Sequence, residues 1–203
     1  MVRIFCKNTG TYKEFLEGTP LLDIAPAFEF DKPYDILAAK VNNVAEGLRF
    51  RVFHNRDVEF LDYRTYIGRS FYSRSLCFLL YKATRDLFPE SRMTIRRPIS
   101  KGYFCSVYKN DGSFLTEEDV EAIGARMREL VSENIPFRRK ELQIAEAIRI
   151  FKESGDLDKV KLLETCGEVY ITCYSLGDVT DYYYDELVPS TGYLKTFGVK
   201  LCH

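Results

Sequence analysis

Short runs of alternating apolar and polar residues dominate the first part of the chain and predict β-strands. Asn8-Thr-Gly10 separates the first two runs and is a hairpin signal. Thr19 is expected to cap a short helix with Pro20 at its first position. The predicted strands span residues 2–6, 12–16, 37–41, 48–53 and 58–63.

Helical periodicity takes over in the second part of the chain. The pattern predicts one helix that ends before Pro89, a second capped by Thr116-Glu-Glu-Asp119, and a third after Ile135-Pro-Phe. Their expected core-facing residues are Leu76, Leu80, Ala83 and Leu87; Val120, Ile123, Met127, Leu130 and Val131; and Ile144, Ala147, Ile148 and Phe151. Strands are expected at 93–96, 103–108 and 169–174. The fold class is therefore α+β, with a β-grasp, ubiquitin-like order of elements in residues 1–63 and a second α+β unit in 64–203.

Composition narrows the function classes. The chain has 203 residues, 46% of them hydrophobic, and a formal net charge of −1, so no whole-chain field attracts nucleic acid or an anionic membrane. There is no long apolar run and no signal peptide, so we expect a cytoplasmic protein without a membrane partner. Its six cysteines are scattered, which favours reduced thiols. The chain has only two histidines, His54 and His203, and neither has a plausible catalytic neighbour in the sequence. The residues needed by a metallohydrolase or a Ser-His-Asp enzyme are therefore not found.

Two motifs in the first unit carry a resemblance to a known family. Gly18-Thr-Pro-Leu-Leu-Asp-Ile-Ala25 and Leu37-Ala-Ala-Lys-Val-Asn42 resemble the TGS domain with which threonyl-tRNA synthetases begin. The resemblance implies that residues 1–63 form a TGS-like β-grasp domain.

The second unit resembles the editing domain of threonyl- and alanyl-tRNA synthetases, with its metal ligands replaced. The matching segments are Arg74-Ser-Leu-Cys-Phe78 and Tyr183-Tyr-Asp-Glu-Leu187-Val-Pro-Ser-Thr-Gly192. The family has His, His, Cys and His where this chain has Arg74, Phe78, Tyr183 and Leu187. None of these four side chains is a normal zinc ligand. The resemblance therefore implies residues 64–203 as an editing-like domain with no metal, no cofactor and no catalytic residue.

Two polar positions match the synthetases that edit. Lys159 and Asp181 coincide with a Lys and an Asp of that family. Together with Arg74, Phe78, Tyr183 and Leu187 they define a candidate ligand cleft for an anion such as a nucleotide phosphate or an RNA 3′ end. Two other readings stay open: Lys159 and Asp181 form a structural ion pair, and the apolar replacements fill the vacated site.

Basic residues cluster locally despite the balanced total charge. The candidate basic surface comprises Arg92, Arg96, Arg97, Lys101, Arg138 and Arg139. Guanidinium groups suit phosphates, and the nearby tyrosines at 182–184 could stack on bases. The alternatives are a solvated, salt-bridged surface for the arginines and core-edge packing for the tyrosines.

The order of the two units also resembles the N-terminal portion of a bacterial uridine-kinase-like protein. The segments Thr172-Cys-Tyr-Ser-Leu-Gly-Asp-Val-Thr180 and Leu187-Val-Pro-Ser-Thr-Gly-Tyr-Leu194 carry this resemblance. It implies a non-catalytic binding or regulatory module for a nucleotide, nucleoside or RNA 3′ end. The chain is then expected to be a fragment that lacks its C-terminal kinase domain, and only that domain would use ATP and Mg²⁺. The alternative function is RNA binding or residual, metal-free hydrolysis of aminoacyl-tRNA.

Overall fold

The computed structural model describes residues 1–31, 33–99 and 102–202, apart from the side chains of Arg97 and Ile99. The fold is α+β, as the sequence pattern predicts. Its buried apolar residues form three clusters: one inside the first part of the chain, one around a long central helix, and one under the last sheet. None of the helices described is long and apolar enough to cross a membrane.

The first part of the chain forms a mixed sheet over a short helix. The strands are β1 Val2–Cys6, β2 Thr11–Phe15, β3 Thr19–Pro20, β4 Ala38–Val41, β5 Val44–Glu46, β6 Arg51–Val52 and β7 Arg56–Leu61, and helix α1 is Leu21–Ile24. Five strands share the order β2-β1-β7-β4-β5, in which β1 and β7 are parallel and the other pairs antiparallel. Strands β3 and β6 form a separate pair. Alternating inward residues of β1 and β4 build the buried cluster of this part.

Two details of this part differ from the sequence prediction. Thr19 does not cap helix α1: it lies in β3, its hydroxyl donates to the Leu16 carbonyl at 2.7 Å, and Pro20 takes the cap position. The strand expected at 48–53 shortens to β6, and Val44–Glu46 forms an unpredicted strand instead. A tight turn at Asn42 and Asn43, both with positive φ, folds β5 back onto β4.

A long helix, a hairpin and a second helix follow. The elements are α2 Tyr66–Leu87, β8 Arg92–Ile99, β9 Gly102–Tyr108 and α3 Glu117–Glu133. Thr65 caps α2 by accepting from the Gly68 amide at 3.0 Å, and a Cβ at Gly68 would lie 2.0 Å from the Asp62 carbonyl oxygen. Thr116 and Asp119 form the predicted capping box of α3.

The remaining elements are two helices and a three-stranded antiparallel sheet. They are β10 Arg138–Gln143, α4 Ile144–Glu153, α5 Leu157–Thr165, β11 Tyr170–Leu176 and β12 Val179–Tyr182, in sheet order β10-β11-β12. The pattern did not predict β10, α5 or β12. Strand β10 is almost entirely polar and exposed, so its pairing with β11 defines it rather than any apolar alternation.

The two parts of the chain share contacts. Leu37, Ala38 and Leu61 of the first sheet belong to the same buried cluster as helix α2. Arg49 donates to the Pro189 carbonyl at 2.8 Å, and Lys195 pairs with Asp35 at 2.6 Å. The segment that follows β12 is therefore held between helix α2 and the first sheet.

Candidate functional site

Helix α2 and the segment after β12 are joined at the centre of the candidate cleft. The Ser75 hydroxyl accepts from the Val188 amide at 2.9 Å and donates to the Phe71 carbonyl at 2.7 Å. Thr191 anchors the same segment to α3, because its hydroxyl donates to the Leu130 carbonyl at 2.5 Å and accepts from the Ile135 amide at 2.8 Å. A Cβ at Gly192 would lie 2.3 Å from Asn134 Oδ1, so a larger residue there would have to displace the Asn134 side chain, which accepts from the Ser190 hydroxyl at 2.6 Å. The Val-Pro-Ser-Thr-Gly motif thus has a structural role.

Three of the four substituted positions pack together. Phe78 is completely buried, and its ring centroid lies 5.4 Å from that of Tyr183 and 5.7 Å from that of Phe137. Leu187 is 4% exposed and belongs to the same buried cluster. The structure therefore packs aromatic and aliphatic side chains together at three of the positions for which the resemblance implies lost metal ligands.

Arg74, the fourth position, is already paired. One guanidinium nitrogen donates to the Glu186 carbonyl at 2.7 Å, and the other contacts the Asp185 carboxylate at 2.7 Å and the Ser70 hydroxyl at 3.0 Å. Its side chain is 20% exposed, whereas that of Asp185 is 67% exposed. An anionic ligand at Arg74 would therefore have to displace an exposed carboxylate.

Lys159 and Asp181 meet as an ion pair with a nitrogen–oxygen distance of 2.7 Å. Lys159 also lies 3.5 Å from Asp156 and 4.6 Å above the Tyr81 ring centroid. The Tyr81 hydroxyl donates to Asp156 at 2.7 Å. The retained Lys and Asp thus belong to one polar cluster beside the packed aromatic residues.

Burial shifts the proton equilibria of this region. It raises the pKa of Asp181, and the nearby Lys159 opposes that shift. It also raises the pKa of Tyr183 well above its ordinary value, with Asp181 adding to the effect. Burial raises the pKa of the Cys77 thiol, next to Phe78, to about 12. The phenol of Tyr183 and the thiol of Cys77 are therefore protonated at neutral pH and are poor metal ligands.

The residues at this site do not fit a zinc ion. Guanidinium, phenyl and isobutyl groups carry no zinc donor, and the remaining side chain is the protonated phenol of Tyr183. Across residues 1–31, 33–99 and 102–202, no group of three or more His, Cys, Asp or Glu side chains is arranged to hold a metal ion.

The candidate basic surface divides between two sheets. Arg92 and Arg96 lie on strand β8, where Arg92 pairs with Asp158 of α5 and Arg96 donates to the Ser106 hydroxyl at 3.0 Å. Arg138 and Arg139 lie on β10. Lys101 falls outside the described residues, and the side chain of Arg97 is not described.

Arg139 links the basic surface to the cleft. Its guanidinium lies 3.5 Å from Glu186 Oε1 and donates to the Thr172 hydroxyl at 3.3 Å. Glu186 Oε2 accepts from the Tyr174 hydroxyl at 2.7 Å. Two guanidinium groups, those of Arg74 and Arg139, therefore hold the segment that contains Asp185 and Glu186.

Sequence reasoning missed the partners of these groups. It did not single out Asp185 and Glu186, the two residues directly before Leu187 that contact Arg74. It also missed Tyr81 and Asp156, which complete the cluster around Lys159. No local motif connects residues so far apart in the chain.

The site is a packed cluster of aromatic and aliphatic side chains within an α+β scaffold, and comparison with known proteins identifies related chains. The threonine–tRNA ligase of Desulforamulus reducens is 31% identical over 197 residues, which cover 97% of this chain and 31% of that protein. That of Laribacter hongkongensis is 32% identical over 191 residues, covering 93% and 30%. That of Clostridioides difficile is 28% identical over 202 residues, covering 99% and 31%.

Nearly the whole chain is therefore related to a region of threonine–tRNA ligases. The chain spans about a third of the length of these relatives. No family model matches it.

These relatives overturn the expected kinase context. They are tRNA ligases and not nucleoside kinases, so the interpretation of the chain as a regulatory module of a uridine-kinase-like protein is wrong. The C-terminal kinase domain was expected only from that interpretation. That domain, and the ATP and Mg²⁺ that it would use, are therefore not supported. Two segments carried the kinase resemblance. In the structure, residues 172–180 belong to strands β11 and β12, and the segment 187–194 is held against the core by the hydrogen bond from the Thr191 hydroxyl to the Leu130 carbonyl.

Proposed function

We propose that this chain is an RNA-binding module that recognises the 3′ end of a tRNA or tRNA-like RNA without hydrolysing an ester on it. The observation that carries the proposal is homology to threonine–tRNA ligases along nearly the whole chain, combined with core packing of Phe78, Tyr183 and Leu187. The homology supports retention of an RNA-facing scaffold. The packing removes the space and the donors that a metal-assisted hydrolysis would use.

Two candidate bases among the described residues, His54 and Tyr183, are poorly suited to catalysis at this site, which supports binding rather than hydrolysis. His54 lies near the β6–β7 turn, in the first part of the chain, away from the cluster around Phe78. Tyr183 is protonated at neutral pH because burial raises its pKa. A general base must be unprotonated at the operating pH and within hydrogen-bond reach of its water. Neither His54 nor Tyr183 meets both conditions.

Exposed groups on the sheet β10-β11-β12 and directly after its last strand supply the chemistry for RNA contacts. Arg138, Arg139 and Lys140 are consecutive exposed residues on β10. Tyr184 is 83% exposed, and its ring lies 5.0 Å from that of Tyr182. Exposed guanidinium groups bind phosphates and exposed aromatic rings stack on unpaired bases. Because the whole chain has a net charge of −1, binding would depend on such local groups.

A charge-removal pair tests this proposal. Arg139→Ala removes a guanidinium with a 56% exposed side chain, its ion pair with Glu186 at 3.5 Å and its hydrogen bond to the Thr172 hydroxyl at 3.3 Å. Lys152→Ala on helix α4 is its matched control, because Lys152 is also 56% exposed and has one ion pair at 3.6 Å. We expect Arg139→Ala to weaken binding of a tRNA acceptor-stem RNA about three- to tenfold at moderate salt and to reduce the salt dependence. Lys152→Ala should bind like the wild type. Equal binding by all three proteins, or no binding, would contradict the proposal.

The Lys159–Asp181 pair favours a second function, residual hydrolysis of aminoacyl-tRNA. This pair matches residues present in the resembling editing family, and it lies beside Tyr183. An ammonium at 26% exposure could orient a water or an ester carbonyl. Deacylation above background that disappears in Lys159→Ala would support this function. A purely structural pair would instead lower stability in that variant and leave the deacylation rate at background.

We also propose that the chain consists of two domains. Residues 1–63 are proposed as a TGS-like β-grasp domain, supported by the central parallel pair β1–β7 within the five-stranded mixed sheet. Residues 64–203 are proposed as the editing-like domain, supported by the course of the homology along the chain. Expression of each segment alone tests the boundary, because a domain with its own core gives a cooperative unfolding transition.

A further inference from the structure

We propose that the guanidinium group of Arg74 is a phosphate site that Asp185 occupies in the free protein, and that a phosphate of the bound RNA replaces this carboxylate. The inference rests on the proposed RNA binding and adds an internal competitor to it. An ordinary structural ion pair contributes to the fold and not to the affinity for a ligand. An internal competitor has a different signature, because removing its charge tightens the binding of the RNA.

Arg74 is held in place by groups other than Asp185. One guanidinium nitrogen donates to the Glu186 carbonyl at 2.7 Å, and the other donates to the Ser70 hydroxyl at 3.0 Å. The guanidinium carbon also lies 5.6 Å from the centroid of the Phe71 ring. These contacts remain when Asp185 leaves, so Arg74 stays oriented. A guanidinium that is already oriented loses less side-chain freedom when it binds a phosphate.

The Asp185 carboxylate can rotate into solvent at little cost. Its side chain is 67% exposed, whereas that of Arg74 is 20% exposed, and it lies outside the helices and strands, between β12 and Thr191. An ion pair with one partner so exposed contributes little to stability. A phosphate presents its oxygens to the guanidinium fork in the same paired geometry as a carboxylate. Exchange of one anion for the other therefore leaves Arg74 paired.

Glu186, the next residue, stays in place. Its Oε2 accepts from the Tyr174 hydroxyl at 2.7 Å, and its Oε1 lies 3.5 Å from the Arg139 guanidinium. A Cβ at Gly47 would lie 2.8 Å from Oε2, so the chain just after β5 packs closely against this carboxylate. Arg139 keeps a side chain that is 56% exposed. Because Arg74 and Arg139 both contact Glu186, one RNA strand can reach both guanidinium groups.

The local charge balance favours the same exchange. Burial, and then the charge of Glu186, raise the pKa of the Glu46 carboxyl, while Arg139 lowers it. Three carboxylates, those of Glu46, Asp185 and Glu186, therefore accompany the two guanidinium groups. Movement of Asp185 into solvent, where water screens its charge, lowers the repulsion that an incoming phosphate meets.

Neutralisation of Asp185 tests the inference against a matched control. Glu129 on α3 is 62% exposed and pairs at 3.0 Å with Arg126, whose side chain is 27% exposed. Asp185→Asn and Glu129→Gln thus each remove one exposed carboxylate from a partly buried arginine, and both change the net charge equally. We expect Asp185→Asn to bind the acceptor-stem RNA about two- to fivefold more tightly than the wild type, the range that loss of an exposed ion pair allows. Glu129→Gln should bind like the wild type.

Arg74→Gln identifies the site. This change removes the guanidinium but keeps an amide donor, and thermal melts of each variant verify that the fold is retained. Asp185→Asn added to Arg74→Gln should give no gain in RNA binding, because the group for which the carboxylate competes has been removed. An equal gain from Asp185→Asn with and without the arginine would place the effect elsewhere and refute the site.

The outcomes separate this inference from the proposed function. If the wild type binds RNA and Asp185→Asn binds no more tightly than Glu129→Gln, the inference fails and RNA binding stands. If Asp185→Asn binds RNA and the wild type does not, Asp185 blocks the site completely, so the inference holds and the function proposed for the wild type fails. If neither protein binds RNA, both fail.

Discussion

Replacement of Phe78 by alanine tests whether the candidate cleft is closed by side-chain packing. Phe78 is completely buried and contacts the rings of Phe137 and Tyr183 at centroid distances of 5.7 Å and 5.4 Å. Truncation of a buried phenylalanine costs about 3–5 kcal/mol, which includes the cavity that it leaves. Loss of the two ring contacts places the expected value in the upper half of that range.

Urea denaturation followed by far-ultraviolet circular dichroism measures this change in the free energy of unfolding. A thermal melt of the same variant gives a second measure. For a chain of this length, 1 kcal/mol corresponds to a shift of about 2–4 °C in melting temperature, so Phe78→Ala should lower the melting temperature by roughly 8–20 °C. Phe53→Ala is the matched control, because Phe53 is 55% exposed and should cost less than about 1 kcal/mol. A cost below about 1 kcal/mol for Phe78→Ala would mean that its ring borders an open cleft, and the repacking argument would fail.

Three further predictions concern charge, thiols and metal. Lys109, and then the Thr116 amide, lower the pKa of Asp119, so its contribution to stability is complete above the ordinary carboxyl pKa and disappears as the pH falls through the lowered value. The difference in unfolding free energy between wild type and Asp119→Asn should therefore be largest near neutral pH and vanish in strong acid. At pH 8 iodoacetamide should label the exposed Cys202 much faster than Cys77, whose pKa is raised to about 12; equal rates measured by mass spectrometry would contradict its burial. Metal analysis after purification without chelator should find no stoichiometric zinc, and one zinc per chain would refute the loss of the site.

The sequence pattern predicted elements where local rules operate strongly. The capping box at Thr116 and the strand at β1 follow from side-chain hydrogen bonding and strict alternation, and both occur. Strand β10 could not be predicted in this way, because a polar, exposed run owes its conformation to the register with β11. Helix α5 was missed for a similar reason: it is short, and only Val160 and Leu163 of it are buried.

The candidate site shows a second limit of sequence reasoning. Residues that a motif names, such as Arg74 and Lys159, could be found from the chain alone. Their partners could not, because Asp185 lies 111 positions from Arg74 and nothing local relates the two.

The apolar stripe of α2 was recognised, and it packs as expected over most of its length: Ala83 is completely buried, and Leu76 and Leu80 are partly buried against the same cluster. Only Leu87, at the end of the helix, is exposed.

The central claim, recognition of RNA without hydrolysis, is tested most directly by one experiment on threonine-specific tRNA charged with radiolabelled serine. Binding and deacylation are followed in the same samples, by filter retention and by acid-precipitable counts. The account predicts saturable retention of the tRNA while its ester decays at the rate of the protein-free control. Accelerated loss of the ester that requires Lys159, or charged tRNA that is never retained, would contradict it.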